Sequence, residues 1–69
     1  MPKRLTGWVS RVYPRFAFIA AEDGVLYFSP ADHMGGGVLP EGTRVAFTVM
    51  PRHSVDHNYD RAVQVRVIA

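Results

Sequence analysis

Cysteine is absent from the 69 residues, which excludes disulfides, thiolate metal sites and cysteine nucleophiles and makes a reducing compartment the natural home. Long apolar runs are missing too. No stretch approaches the ~18 apolar residues of a membrane span, and the basic start Met1-Pro2-Lys3-Arg4 leads into Leu5-Thr6-Gly7-Trp8 instead of the apolar core of an export signal. A cytoplasmic chain with no membrane partner is expected. Uninterrupted stretches are scarce as well, because glycine or proline recurs at positions 7, 14, 24, 30, 35–37, 40, 42 and 51, leaving no room for a helix longer than about a turn. Lysine is nearly missing: Lys3 stands alone, and Arg4, Arg11, Arg15, Arg44, Arg52, Arg61 and Arg66 supply the remaining basic groups.

Between the breakers lie short runs rich in Val, Phe, Tyr and Thr, the pattern of an all-β barrel or sandwich. The spacing predicts strands over about 5–13, 15–21, 25–29, 43–50 and 60–68, in one domain covering 1–69. Val9 and Val12 are both core candidates but break strand alternation, so a bulge near Ser10 and Arg11 is expected, turning Arg11 outward. Glu22-Asp23-Gly24 reads as a hairpin turn, with Gly24 taking a positive φ. Pro30-Ala31-Asp32-His33 reads as a turn or a single 3₁₀ turn, and Met34-Gly35-Gly36-Gly37-Val38 as a mobile loop. A domain this small buries only ~60% of the surface its unfolded chain exposes, so modest stability is expected.

The segment Phe16-Ala17-Phe18-Ile19 carries the functional signal. Alternate strand residues face opposite sides, so Phe16 and Phe18 share one face and Ala17 and Ile19 the other. The inward register for the two phenylalanines competes, since Phe is a strongly buried type. Against it, Val9, Val12, Ile19, Leu26, Phe28, Val45, Phe47, Val49, Val63, Val65 and Val67 already fill a small interior. Phe16 and Phe18 are therefore expected outward, joined by Tyr27, with Leu26 and Phe28 buried and Thr48 on the outer side of the fourth strand. Rings displayed beside Arg11 and Arg15 are what unpaired nucleobases stack on. Guanidinium groups add phosphate binding through two parallel hydrogen bonds, and the net charge of +2 agrees in sign.

These residues resemble the cold-shock domain. Thr6-Gly7-Trp8-Val9 is similar to that family's opening Gly-x-Val, Phe16-Ala17-Phe18-Ile19 to its first RNP motif, usually Lys-Gly-Phe-Gly-Phe-Ile, and Glu22-Asp23-Gly24 to the acidic turn that follows. Val25 to Ser29 occupies the place of the second RNP motif, usually Val-Phe-Val-His. Glu41-Gly42-x-x-Val45-x-Phe47 and Ala62-x-x-Val65 extend the likeness over nearly the whole chain. The resemblance implies a five-stranded antiparallel OB-fold barrel that binds single-stranded RNA or DNA on its first three strands, as an RNA chaperone or a regulator of gene expression, with no cofactor. Phe16 and Phe18 match the family's binding phenylalanines, and Tyr27 falls on the binding face in either of two gap placements. The departures are specific: the family's exposed first-strand Trp aligns with Arg11, its preceding Lys with Ser10, its following Asn with Tyr13, and its RNP Lys and Gly with Pro14 and Arg15, across a shorter turn. Trp8 does not sit where the family's binding Trp does. The candidate nucleic-acid-binding set is thus Trp8, Arg11, Tyr13, Arg15, Phe16, Phe18 and Tyr27, with Arg52 and Arg61 as further phosphate contacts.

Other chemistries have less to stand on. His53 and His57, near Asp56 and Asp60, have a spacing that binds metal on a helix but fall in an inter-strand loop, where they read as exposed histidines or as a rim of the binding surface. There are no paired carboxylates on one strand and no Gly-x-Ser-x-Gly, so the chain is read as a binding protein and not an enzyme. The rival class is a small-barrel protein-interaction or dimerisation module using the same rings, although a monomer is the expected state.

Overall fold

The computed structural model describes residues 3–35, 37–50 and 59–68. Five strands, β1 (Lys3–Val12), β2 (Phe16–Ala21), β3 (Leu26–Pro30), β4 (Arg44–Met50) and β5 (Arg61–Val67), close into a barrel in the order β1-β2-β3-β5-β4, with a 3₁₀ turn at Ala31–His33. This is OB-fold order. The pairing is not antiparallel throughout, because β5 meets β3 in parallel where Phe28 faces Arg61, while every other pair is antiparallel. Closure removes the exposed edges that a five-stranded sheet would otherwise present. No helix among the described residues is long and apolar enough to cross a membrane.

Strand alternation builds the core as expected on β2 and β4: Ala17, Ile19, Val45 and Phe47 are wholly buried. They pack with Leu5, Val9, Ala21, Ala62 and Val65, and with Val49 partly buried at the margin. The β1 bulge is present, since Val9 faces Ile19 and Arg11 faces Phe18 with Ser10 as the extra residue. It turns Arg11 outward. Val12, expected in the core, lies on the inward side opposite Ala17 but at the strand end, where it is 43% exposed. Val67, also expected in the core, is the last residue of β5 and is 61% exposed although it pairs with the wholly buried Val45. A second bulge sets Gln64 and Val65 against Phe47 alone, with Gln64 at a φ of 52°, so Val63 and Val65 are both buried on opposite sides of the strand. Thr48 faces Val63 on the outer side, yet it too is buried, its hydroxyl donating to Gln64 Oε1 at 3.3 Å.

Two features of the interior were not legible in the sequence. Met34, assigned there to a mobile loop, is buried in the core cluster, with Val38 and Leu39 packed against it, so the segment after β3 plugs the barrel. Ser29 points inward and is fully buried with its hydroxyl unpartnered among the described residues. A buried hydroxyl without a partner costs about 1–3 kcal/mol. Ser29→Ala is therefore expected to raise stability by about 1 kcal/mol, read as a higher denaturation midpoint in urea.

Gly7 is where β1 is clamped between β2 and β4, facing Ala21 on one side and Val45 on the other. A Cβ there would collide with the Ala20 carbonyl oxygen and come within 2.8 Å of the Ala21 Cα, backbone atoms that cannot swing aside. Overpacking of this kind costs at least ~1–3 kcal/mol, a large share of the stability of so small a domain. Gly7→Ala should leave the chain mostly unfolded by circular dichroism. Gly24→Ala, which meets open space at a φ of 83°, should cost only about 1 kcal/mol.

Candidate nucleic-acid interface

The two hairpins that flank β2 determine which side chains share its outer face. After β1, Tyr13 donates its N–H to the Phe16 carbonyl at 2.9 Å, so only Pro14 and Arg15 make the bend. The tight turn lays the Tyr13 ring on Phe16, with centroids 4.7 Å apart and planes 18° from parallel. After β2, a three-residue loop sets Ala20 opposite Leu26, Ile19 opposite Tyr27 and Phe18 opposite Phe28. Directly opposed residues share a face. Tyr27 therefore follows Ile19 inward, and Phe28 joins Phe18 outside.

This overturns the expectation for β3. Tyr27 is 4% exposed, its ring 5.4 Å from Phe47 inside the barrel, and it is not part of the displayed face. Its hydroxyl emerges far enough to donate to Asp23 Oδ2 at 2.9 Å, which makes burial of a tyrosine tolerable. Leu26 and Phe28, expected inside, are respectively exposed and half-buried on the outer side.

The outer face carries one contiguous set of rings. Phe16 and Phe18 meet edge to face at 5.9 Å, and Phe28 lies 5.1 Å from Phe16 and 6.0 Å from Phe18. Tyr59, just before β5, packs edge-on to Phe18 at 5.0 Å. Offset and edge-to-face contacts of this sort hold rings in place. A second row runs across the same side, Leu26–Ala20–Trp8–Arg44 by strand register, with Trp8 45% exposed. Of the predicted set, Arg11, Tyr13, Phe16 and Phe18 are brought together, Trp8 stands one row away, and Arg15 sits exposed in the tight turn. Arg61 lies opposite Phe28 in register. Arg52, His53, Asp56 and His57 lie outside the described residues.

Sequence reasoning missed Phe28, Tyr59 and Leu26. The loop 22–24 had been identified, and counting outward from it pairs Phe18 with Phe28, a signal that outweighs the hydrophobicity of Phe28. Tyr59 lies outside any strand and offered no periodicity.

The site is electrostatically open. Among the described residues the only ion pair is Lys3 to Asp23 at 3.9 Å, so Arg11, Arg15 and Arg44 have no carboxylate partner there. No group of three or more metal-binding side chains occurs among the described residues. Asp23 Oδ1 accepts the Val25 N–H at 3.0 Å; that hydrogen bond, helped by the Tyr27 hydroxyl and Lys3, holds its carboxyl below the usual carboxylate range. Desolvation, then the bond to Asp23, pushes the Tyr27 phenol from its ordinary 10.0 up to about 12. Compared with known proteins, the chain matches no family model, no curated protein and no solved structure.

The Tyr27 shift has a pH signature. Below pH 10 the phenol is neutral in both folded and unfolded chains; between 10 and about 12 the unfolded chain ionises first, so stability drains away across that window. Urea denaturation at a series of alkaline pH values should show this fall in the wild type and a shallower one in Tyr27→Phe.

Proposed function

We propose that this protein binds single-stranded RNA or DNA by stacking unpaired bases on the outer face of β1, β2 and β3, in the manner implied by its resemblance to the cold-shock domain. The observation that carries the reading is the contiguous cluster Tyr13, Phe16, Phe18, Phe28 and Tyr59 beside arginines that have no carboxylate partner among the described residues. Phe16, Phe18 and Phe28 are half-buried against one another and so pre-positioned, and a base adds to a standing stack without first ordering these partners. Arg11 and Arg15 flank the rings for phosphate contacts. Relative to the expected set, Phe28 takes the place of Tyr27. The reading includes a non-enzymatic role in the cytoplasm, as an RNA chaperone or a regulator of gene expression. A peptide-binding or dimerisation module would use the same rings but has no need of the arginines.

Replacing Phe16, Phe18 or Phe28 by leucine keeps apolar volume and removes the π-face. Each change is expected to cost about 1–3 kcal/mol of oligonucleotide affinity while the chain stays folded, and Tyr27→Phe to leave affinity unchanged. Unaltered binding in a folded Phe16→Leu, Phe18→Leu double variant would sink the stacking face.

Salt and strandedness supply a second test. A duplex hides the base faces, so a blunt duplex should compete poorly with a single strand. The slope of log affinity against log salt should be shallow, roughly −0.7 for each phosphate neutralised. Equal affinity for duplex, or a slope of zero, would favour the protein-interaction reading.

A further inference from the structure

Beside the ring cluster lies a groove of about 310 Å³, walled by Tyr13, Phe18, Leu26 and Tyr59 and closed along β1 by Ser10 and Arg11. Consecutive strand residues normally diverge to opposite faces. The β1 bulge suspends that rule, because Ser10 is the extra residue between Val9, opposite Ile19, and Arg11, opposite Phe18, and both Ser10 and Arg11 line the groove. A hydroxyl and a guanidinium are thereby set side by side in a wall whose other described residues are rings and one leucine. An adjoining hollow shares Ser10, Arg11 and Tyr13 with the groove and is lined also by Val12 and Glu41, but no ion pair joins Glu41 to Arg11. The volume is at the lower end of small-ligand pockets, a size suited to one heterocycle.

We propose that this groove reads a single nucleobase, selecting one whose edge presents two adjacent hydrogen-bond acceptors to Arg11: guanine through O6 and N7, or cytosine through N3 and O2. The inference rests on the single-strand reading above and adds base selection to it. Guanidinium is all donor and planar, so it matches a pair of neighbouring acceptors bidentately. Adenine sets its N6 donor beside each candidate acceptor, N7 or N1, and thymine and uracil separate their two carbonyls with the N3–H. Either edge would hold a donor against a donor. The rings, in contrast, accept any base, which leaves Arg11 as the selecting group and Ser10, able to donate or accept, as its companion.

The test is fluorescence anisotropy of the full chain against labelled short thymidine oligonucleotides with one central base varied among guanine, 7-deazaguanine, cytosine, adenine and thymine. Guanine or cytosine should bind about tenfold tighter than adenine and thymine; if guanine leads, 7-deazaguanine should lose the advantage, and if cytosine leads, the N7 position should not matter. Arg11→Lys loses the bidentate fork, and Arg11→Trp supplies a ring that stacks on every base. Both variants should still bind but bring the bases within about twofold of one another. Equal affinity for all bases in the wild type, or a preference that survives Arg11→Trp, overturns the base-reading groove while leaving the stacking face intact. A loss in Arg11→Ala that is uniform across bases and lowers the salt slope identifies Arg11 as a phosphate contact and overturns it likewise. Failure of every oligonucleotide to bind overturns both the groove and the proposed function.

Discussion

Asp23 accepts the Val25 N–H through one carboxylate oxygen and the Tyr27 hydroxyl through the other, and that double engagement ties the β2–β3 turn to the first inward residue of β3. Once the turn is three residues long, the pairing of the two strands follows: Ile19 meets Tyr27 and Phe18 meets Phe28. A slip of one residue would send Phe28 and Leu26 into the barrel and Tyr27 out of it. It would also leave Ser29 outside, removing the one buried hydroxyl without a partner among the described residues. The observed register accepts that orphan in exchange for a satisfied tyrosine and a third phenylalanine on the outer face.

Two bulges do complementary work in closing so small a barrel. The one in β1 coils the strand between β2 and β4 and places Arg11 outward against Phe18. The one in β5 bends that strand from its antiparallel partner β4 toward its brief parallel contact with β3. Bulges raise local twist and bending, which favours closure of a five-stranded sheet. Gly7, at the tightest crossing, is the residue that lets β1 approach β2 closely enough for the circuit to be completed.

Most of the architecture was legible because strand alternation and turn chemistry are local. The β1 bulge was inferred from Val9 and Val12 lying three apart, and the core of β2 and β4 from simple alternation. The errors on β3 share a cause, namely that hydrophobicity is taken to decide which face of a strand is inward. Phe28 and Leu26 were sent inside for being apolar, whereas hairpin register, a geometric constraint, sends them out. Val12 and Val67 read as core by pattern but are the last residues of their strands and exposed, a tertiary fact that no window of sequence contains. Met34 was read with the glycines that follow it, but one long flexible side chain is enough to seal a barrel end. In the candidate site, Phe16, Phe18, Arg11 and Tyr13 were readable from β2 alternation and the adjacent turn, while Tyr59 depended on where a long connection returns to the barrel.

The outer ring cluster is also a second hydrophobic assembly on a chain too small to have much core, so on the proposed reading the same rings would serve stability and recognition. That dual service bears on the rival reading of the face as a dimer interface. In a two-fold symmetric dimer the same patch meets itself, so Arg11 and Arg15 would be drawn out of water together with the rings they flank. Burying a charge without a partner is costly, and no carboxylate pairs with those two arginines among the described residues. A polyanion threaded across the rings makes the opposite demand: each unpaired arginine becomes a phosphate partner. On the proposed reading, a single-stranded nucleic acid would satisfy the charge pattern and the ring pattern of this face together, whereas a second copy of the chain would satisfy only the rings.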